Sequence, residues 1–147
     1  MEYRHVLAPL DLRQDSERVL RAAVAVAKRN SARLSVLHVV EYAPIDPGGD
    51  ILLPTPLDIT DKLTERAESE LASLCERCGA NGATRKVVVG SIKGEILQAA
   101  TADKADLIVI GNHERHGLAI LLNHTEDTLL HQAPCDILAI RLGKTQD

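Results

Sequence analysis

The residues with the most chemical potential lie in the stretch 106–136, where an apolar run, Leu107–Ile110, leads into Gly111. A buried strand that ends in a glycine, followed by a loop and then a helix start, is where α/β proteins bind phosphate groups. The loop after Gly111, however, holds few of the glycines that let backbone N–H groups approach a phosphate. The stretch therefore has the frame of a phosphate site with a defect in its loop.

Two other candidate ligand contacts follow earlier apolar runs. Asp11 comes after the first run and could accept hydrogen bonds from a sugar or a base, or it could brace the loop Asp11–Asp15, as Asp often does in turns. Val39 lies at the end of the second run. Because ligands of open α/β sheets bind beyond the carboxyl ends of the strands, we expect Asp11, Val39 and Gly111 at one edge of the sheet.

Cysteines and histidines give weaker signals. Cys75 and Cys78 have redox or zinc spacing, but they lie near the end of a long amphipathic pattern, which favours inert buried thiols over a thioredoxin-type pair. Five histidines could suggest a metal, but they lack the converging partners of a zinc site. They are His38, His113, His116, His124 and His131. We predict no metal, and because no Ser-His-Asp set or carboxylate pair stands out, we also predict no enzyme.

Composition excludes several classes of protein. The length of 147 residues suits one domain, 1–147, and a net charge of −4 argues against a nucleic-acid or anionic-membrane binder. Two tyrosines without Phe or Trp leave almost no platform for base stacking. No apolar stretch is long enough to span a membrane, the first residues lack a signal-peptide layout, and three cysteines do not make a disulfide framework. We therefore expect a cytoplasmic protein.

Apolar runs and helical patterns alternate along the chain. The runs are rich in Val, Ile and Leu, as strands buried on both faces are. The predicted strands are His5–Leu10, Leu34–Val40, Lys86–Val89, Leu107–Ile110 and Ile137–Leu142. The predicted helices are Asp15–Arg29, Asp58–Cys78, Ser91–Ala102 and Thr125–Gln132. This order predicts a parallel, doubly wound α/β sheet, because parallel neighbours need crossover helices.

The segment Glu41–Leu57 interrupts this alternation. Four prolines and two glycines leave no room for a regular element. Its centre, Ile51–Leu53, is too apolar for a simple tether. Two interpretations stay open: the segment docks on the nearest helix, or it forms a lid or a partner surface.

The last strand, Asp136–Leu142, is a candidate partner surface. It has no Pro or Lys and only Arg141 to discourage pairing with another strand. Antiparallel pairing with a second copy across a two-fold axis would cover this edge, which predicts a homodimer. Shielding of the edge by Gly143–Asp147 in a monomer is the alternative.

Several segments together resemble the universal stress protein family of the UspA type over essentially the whole chain. They are His5–Asp11, Leu37–Val39, Val89–Ser91, Ile96–Leu97, Ala105–His113 and Ala133–Cys135. The resemblance implies a five-stranded, Rossmann-like parallel sheet in the order 3-2-1-4-5, with helices on both faces, and a cytoplasmic homodimer. It also implies one of two branches, one that binds ATP and one that does not. ATP binders carry Gly, two residues, Gly, nine residues, Gly, and then Ser or Thr.

This chain departs from that ATP-binding pattern. Gly111 matches its first glycine, but Glu114 stands at the second. The third glycine and the hydroxyl fall on His124 and Thr125, or on Asn123 and His124, depending on the alignment. A carboxylate ~6 Å from a phosphate charge, at an effective dielectric constant of ~20, would cost about 2–3 kcal/mol.

We therefore expect a non-catalytic, homodimeric stress-response module with an unknown protein partner and no bound cofactor. The alternative is an ATP- or AMP-binding signalling module. The residues of that intact or vestigial nucleotide site are Asp11, Val39, Gly111, Asn123, His124 and Thr125.

Overall fold

A computed structural model describes residues 2–41, 56–113, 129 and 131–143 of the chain. Within these ranges five parallel strands form one sheet in the order β3-β2-β1-β4-β5. The strands are β1 His5–Pro9, β2 Arg33–Val40, β3 Thr84–Val89, β4 Leu107–His113 and β5 Asp136–Leu142, and the helices are α1 Ser16–Asn30, α2 Pro56–Arg77 and α3 Ile92–Ala102. The predicted fold class and strand order are confirmed.

Most element boundaries lie within two residues of their predicted positions. α2 begins at Pro56, two residues before the predicted start, and a proline suits the first helical turn because its missing N–H is not needed there. The last two residues of Glu41–Leu57 are therefore helical, and the rest of that segment after Glu41 lies outside the described residues. Leu129, His131 and Gln132, from the predicted fourth helix, are helical.

β4 is longer than predicted. The sequence placed Gly111 just after the strand, but β4 continues through Gly111 to His113. The reason is its ladder with β5, which runs from Leu107 opposite Asp136 to His113 opposite Leu142 and pairs Gly111 with Ile140. The expectation that Gly111 opens the loop was therefore wrong.

Two separate apolar layers cover the two faces of the sheet. α1 and α2 pack on the face that carries Val6 and Ala8, whereas α3 and Leu129 pack on the face that carries Leu7. The alternation follows from the two-residue repeat of a strand, which sends successive side chains to opposite faces. Helices on both faces bury the central strands almost completely, so the only broad openings of such a fold lie at the ends of the strands.

The amino ends of the strands are closed by a buried polar network. The His5 ring donates from Nδ1 to the carbonyl oxygen of Asp103 over 2.9 Å and accepts at Nε2 from the Ser35 hydroxyl over 2.7 Å. Asp106 accepts the backbone N–H groups of Arg4 at 2.8 Å and His5 at 3.0 Å. His5 and Ser35 are at most 5% exposed, so this network joins β1, β2 and the α3–β4 turn out of reach of solvent.

The β5 edge of the sheet combines apolar exposure with one tether to the start of the chain. Leu138 is 37% exposed. The Tyr3 hydroxyl donates to Asp136 Oδ2 over 3.1 Å at the first residue of β5. None of the helices in the described ranges is long and apolar enough to cross a membrane.

Candidate functional site

A cleft of about 680 Å³ opens at the carboxyl ends of the strands. It is bounded by the ends of β1, β2, β4 and β5, by α1 and α2 from one face, and by α3 and Leu129 from the other. Asp11, Val39 and Gly111 all line it. The structure therefore brings together the three predicted site residues that it describes, because parallel strands end at the same edge of a sheet.

Asp11 braces the turn between β1 and α1. Its Oδ1 accepts the backbone N–H of Arg13 and the hydroxyl of Ser16, each over 2.9 Å. Ser16 is the first residue of α1 and is only 4% exposed. The bracing role considered from the sequence is therefore present, and it fixes the carboxylate in the wall of the cleft.

Gly111 is favoured by close packing rather than by an unusual backbone conformation. A Cβ at this position would lie 2.6 Å from Leu142 Cδ1 and 2.9 Å from Val19 Cγ2, closer than side chains normally approach. Its φ is not in the left-handed region that favours glycine. The glycine lets β4 lie against α1 and β5, so its presence alone does not indicate a phosphate contact.

Val39 and His38 bring the end of β2 into the cleft. Val39 is 8% exposed and belongs to the apolar layer on the α3 side. His38 is half-buried, lines the cleft and donates from Nδ1 to the carbonyl oxygen of Leu10 over 2.8 Å. The sequence had placed His38 only among possible metal ligands, although its position beside Val39 already put it at the binding edge.

The charged groups that line the described part of the cleft have mixed signs with a small negative excess. The acidic residues are Asp11, Glu41 and Glu70, and the basic ones are Arg13 and Arg66. The guanidinium Nε of Arg66 lies 3.0 Å from Glu70 Oε1, so those two charges largely cancel. Among the described lining residues there is no lysine. This lining offers little to attract a group with several negative charges.

The remaining predicted site residues fall in the loop after β4. Asn123, His124 and Thr125 lie outside the described residues, and so does Glu114. The broken glycine pattern is therefore a feature of the sequence, and the described geometry concerns the cleft alone.

The described residues contain neither a group of metal ligands nor an exposed pair of cysteine thiols. No group of three or more His, Cys, Asp or Glu side chains there could hold a metal ion. Cys75 and Cys78 are free and buried, and burial raises the pKa of both thiols. Their thiolates, the reactive forms, are correspondingly disfavoured, as expected for core cysteines.

Comparison with known proteins assigns the family. The model of the universal stress protein family matches residues 2–141. Universal stress protein A homolog 1 of Coxiella burnetii is 34% identical over 140 residues, which cover 95% of this chain and 97% of the homolog.

Solved structures of other proteins have the same fold as this chain. The universal stress protein UspA from Lactobacillus plantarum superimposes with a TM-score of 0.80 at 23% identity, over 96% of this chain and 99% of that one. A universal stress protein crystallised in complex with cAMP does so with a TM-score of 0.68 at 19% identity, over 96% and 98%. The family resemblance found in the sequence is thereby confirmed, and this chain belongs to the universal stress protein family.

Proposed function

We propose that this protein is a non-catalytic, homodimeric regulatory module of the cytoplasmic stress response that does not bind ATP tightly. The observation that carries this proposal is the cleft at the carboxyl ends of the strands, which has the size of a ligand site, while its described lining residues lack the positive charge of a polyphosphate site. The glycine pattern of ATP-binding relatives is also broken in the loop after Gly111.

The charge of the described lining does not favour a ligand with several negative charges. The charged groups in the described lining are Asp11, Arg13, Glu41, Arg66 and Glu70, with a net formal charge of −1. Unit charges 4 Å apart interact by about 1 kcal/mol in water and by about 4 kcal/mol at an effective dielectric constant of ~20. A triphosphate would therefore meet a net repulsion unless its charge were neutralised by other groups.

The position of the pair His5 and Ser35 supports a non-catalytic role. Among the described residues, His5 and Ser35 bring an imidazole and a hydroxyl to 2.7 Å. Both are buried at the amino ends of the strands, the opposite edge from the cleft. A catalytic base must reach a bound substrate, which this pair cannot do.

The proposed dimer is supported by the exposure of the edge strand. On β5, Leu138 and Ala139 are exposed, and Ile137 and Ile140 are half-buried. An uncovered apolar edge normally pairs with another strand. We expect light scattering after size exclusion to give twice the chain mass, and Leu138→Asp to give a monomer. A wild-type monomer at micromolar concentration would refute this part of the proposal.

Nucleotide content provides the main test. Protein purified under native conditions is denatured, and the released small molecules are identified by mass spectrometry, with calorimetric titration of ATP in parallel. We expect no stoichiometric nucleotide and almost no heat at millimolar ATP. A stoichiometric adenine nucleotide in the purified protein would overturn the proposal.

A second candidate, an ATP- or AMP-dependent signalling module, is favoured by the convergence of Asp11, Val39 and Gly111 on one cleft and by the similar structure that contains cAMP. It predicts micromolar binding that is lost in Asp11→Ala. Because Asp11 also braces the turn through Ser16, the matched control is Ser16→Ala. That variant removes one bracing bond but keeps the carboxylate, so it should retain binding if Asp11 contacts the ligand.

A further inference from the structure

A second groove, of about 500 Å³, lies between the start of α1 and the second half of α2. One wall is the β1–α1 turn with the first turn of α1, and the other wall is α2 from Ser69 to Arg77. Leu12, Arg13 and Glu70 also line the cleft at the carboxyl ends of the strands, so the two openings are neighbours with different walls.

Arg21 joins the two walls of this groove at one end. Its guanidinium Nη2 donates to Glu17 Oε1 over 2.7 Å within α1 and to the carbonyl oxygen of Arg77, the last residue of α2, over 3.3 Å. Leu74, which lines the groove, is 5% exposed and packs in the apolar layer under both helices. The spacing of the walls is therefore set by contacts within the protein.

The two carboxylates of the groove already have cationic partners. Glu17 Oε1 lies 2.7 Å from the guanidinium of Arg21, and Glu70 Oε1 lies 3.0 Å from that of Arg66. Neither of these two arginines lines the groove. The negative charges at the groove are thus offset by groups outside it.

The two arginines that line the groove, Arg13 and Arg77, have no such partner. Neither side chain forms an ion pair with another described residue. The pKa of Glu17 is lowered mainly by its hydrogen bond to Arg21 and least by the charge of Arg77, so Arg77 lies near this carboxylate without pairing with it. Two guanidinium groups are therefore available to an anionic ligand.

Hydroxyl and amide groups lie beside these cations. Ser69 and Ser73 are exposed, line the groove and lie one helical turn apart on the same side of α2. Gln14 lines the opposite wall. Guanidinium and hydroxyl groups are suitable donors for phosphate oxygens, and a phosphorylated side chain carries a charge of about −1.5 to −2 at neutral pH. Two unpaired guanidinium groups match one such phosphate in charge.

We propose that this groove binds a phosphorylated serine or threonine in an exposed segment of a partner protein. The phosphate lies between Arg13 and Arg77, and the half-buried Leu12 offers an apolar contact to the residues beside it. A nucleic acid would bring further phosphates toward Glu17 and Glu70, which favours a segment with a single phosphate. The groove is distinct from the cleft, so the proposal goes beyond the proposed function and holds whether or not the cleft binds a nucleotide.

The test measures binding of a labelled ten-residue peptide with one phosphoserine by fluorescence anisotropy on the full chain. The same peptide with serine, or with glutamate, in place of phosphoserine is the reference. We expect the phosphopeptide to bind about tenfold more tightly than the serine peptide, as two exposed ion pairs allow. Its affinity should decrease between about 20 mM and about 200 mM salt, because salt screens exposed charges. In NMR spectra, the amide signals of residues 12–17 and 69–77 should shift, and those of residues 37–41 should not.

Arg77→Gln is the main variant, because it removes a guanidinium of the groove but keeps the backbone carbonyl that Arg21 binds. We expect the phosphopeptide affinity to fall about three- to tenfold. Arg18→Gln is the matched control: Arg18 is exposed on α1 and lines neither the groove nor the cleft. Its effect should stay below twofold. Arg13→Gln removes the other guanidinium and should cause a loss similar to that of Arg77→Gln, which keeps the proposal testable if one variant folds poorly.

Several outcomes would overturn the proposal. They are equal binding of the phosphoserine peptide and either reference peptide, equal losses in Arg77→Gln and Arg18→Gln, and tighter binding of a single-stranded DNA oligonucleotide. Inorganic phosphate that competes at the same concentration as the phosphopeptide would also overturn it, because the partner segment would then contribute nothing. Stoichiometric adenine nucleotide in the purified protein would instead refute the proposed function and leave this groove unaffected.

Discussion

A histidine lies at each end of the sheet, and the two have different surroundings. At the amino ends of the strands, His5 is 5% exposed and both of its ring nitrogens are bonded to protein. At the carboxyl ends, His38 is half-buried, bonds through Nδ1 to Leu10 and borders a cleft of about 680 Å³. The amino ends are closed by a polar network, whereas the described residues at the carboxyl ends surround a cleft.

This difference shows how to separate structural polar groups from groups available to ligands. A buried polar side chain whose partners are all protein atoms stabilises the fold, because leaving its partners unpaired is costly. A side chain anchored by one atom and exposed through another is fixed in place yet can still bind something else. The distinction predicts unequal effects of mutation at the two ends.

The largest expected effect is that of His5→Ala. This change leaves the Ser35 hydroxyl and the Asp103 carbonyl without their partner and should lower the free energy of unfolding by about 2–4 kcal/mol. The matched change at the open end, His38→Ala, should cost about 1 kcal/mol, because it removes a single bond at a half-exposed position. Urea denaturation measures both. Equal losses of unfolding free energy in the two variants would contradict the difference between the two ends of the sheet.

Next in size is the effect of Gly111→Ala, which tests whether this glycine is there for packing. The added Cβ would lie 2.6 Å from Leu142 and 2.9 Å from Val19, so we expect a loss of about 1–3 kcal/mol in the protein without ligand. Gly82→Ala is the control, because its Cβ would meet no atom within 4 Å. If Gly111→Ala did not change the free energy of unfolding, packing would not explain the glycine, and a phosphate contact would be the remaining explanation.

The closed end should also show a dependence on acid. Burial alone would raise the pKa of Asp106, but the N–H groups of Arg4 and His5 outweigh it and hold the pKa below its usual range. Since the folded-state pKa is depressed, the stabilisation is present above the pKa of the unfolded chain and is lost as the pH falls through the folded value. Asp106→Asn should therefore flatten the decline of the melting temperature at acidic pH. An unchanged slope relative to wild type would contradict this assignment.

The smallest expected effect is that of Arg66→Ala at the open end. Arg66 and Glu70 form an exposed pair, with side chains 78% and 46% exposed, and such pairs contribute about 0–1 kcal/mol. Thermal denaturation should show a shift of about 4 °C or less. A much larger change in melting temperature would mean that the Arg66–Glu70 pair stabilises the fold substantially.

The sequence predicted the architecture well because the pattern that specifies it is local. Continuous apolar runs and amphipathic stripes determine which residues are strands and helices, and crossover connections determine that the strands are parallel. The same rules placed Asp11, Val39 and Gly111 at one edge, where the structure finds them.

The missed features depend on contacts between distant segments. β4 extends past Gly111 because β5 pairs along its whole length, and that ladder is not visible in the stretch 107–113 alone. The need for glycine at 111 comes from Val19 and Leu142, which are 92 and 31 residues away in the sequence. The special position of His38 follows from one bond to Leu10, which no spacing rule predicts.

The hydrogen bond between Tyr3 and Asp136 links a tyrosine spectroscopic signal to the edge strand β5. The chain has no tryptophan and two tyrosines, so ultraviolet emission from Tyr42→Phe would come from Tyr3 alone. The Asp136 carboxylate accepts the Tyr3 hydroxyl, and this hydrogen bond raises the pKa of the phenol. The absorbance change that accompanies phenol ionisation would therefore shift to lower pH whenever Asp136 turned away. Tyr3 is thus a built-in spectroscopic probe of the first residue of β5, which can report on the β5 edge without any added label.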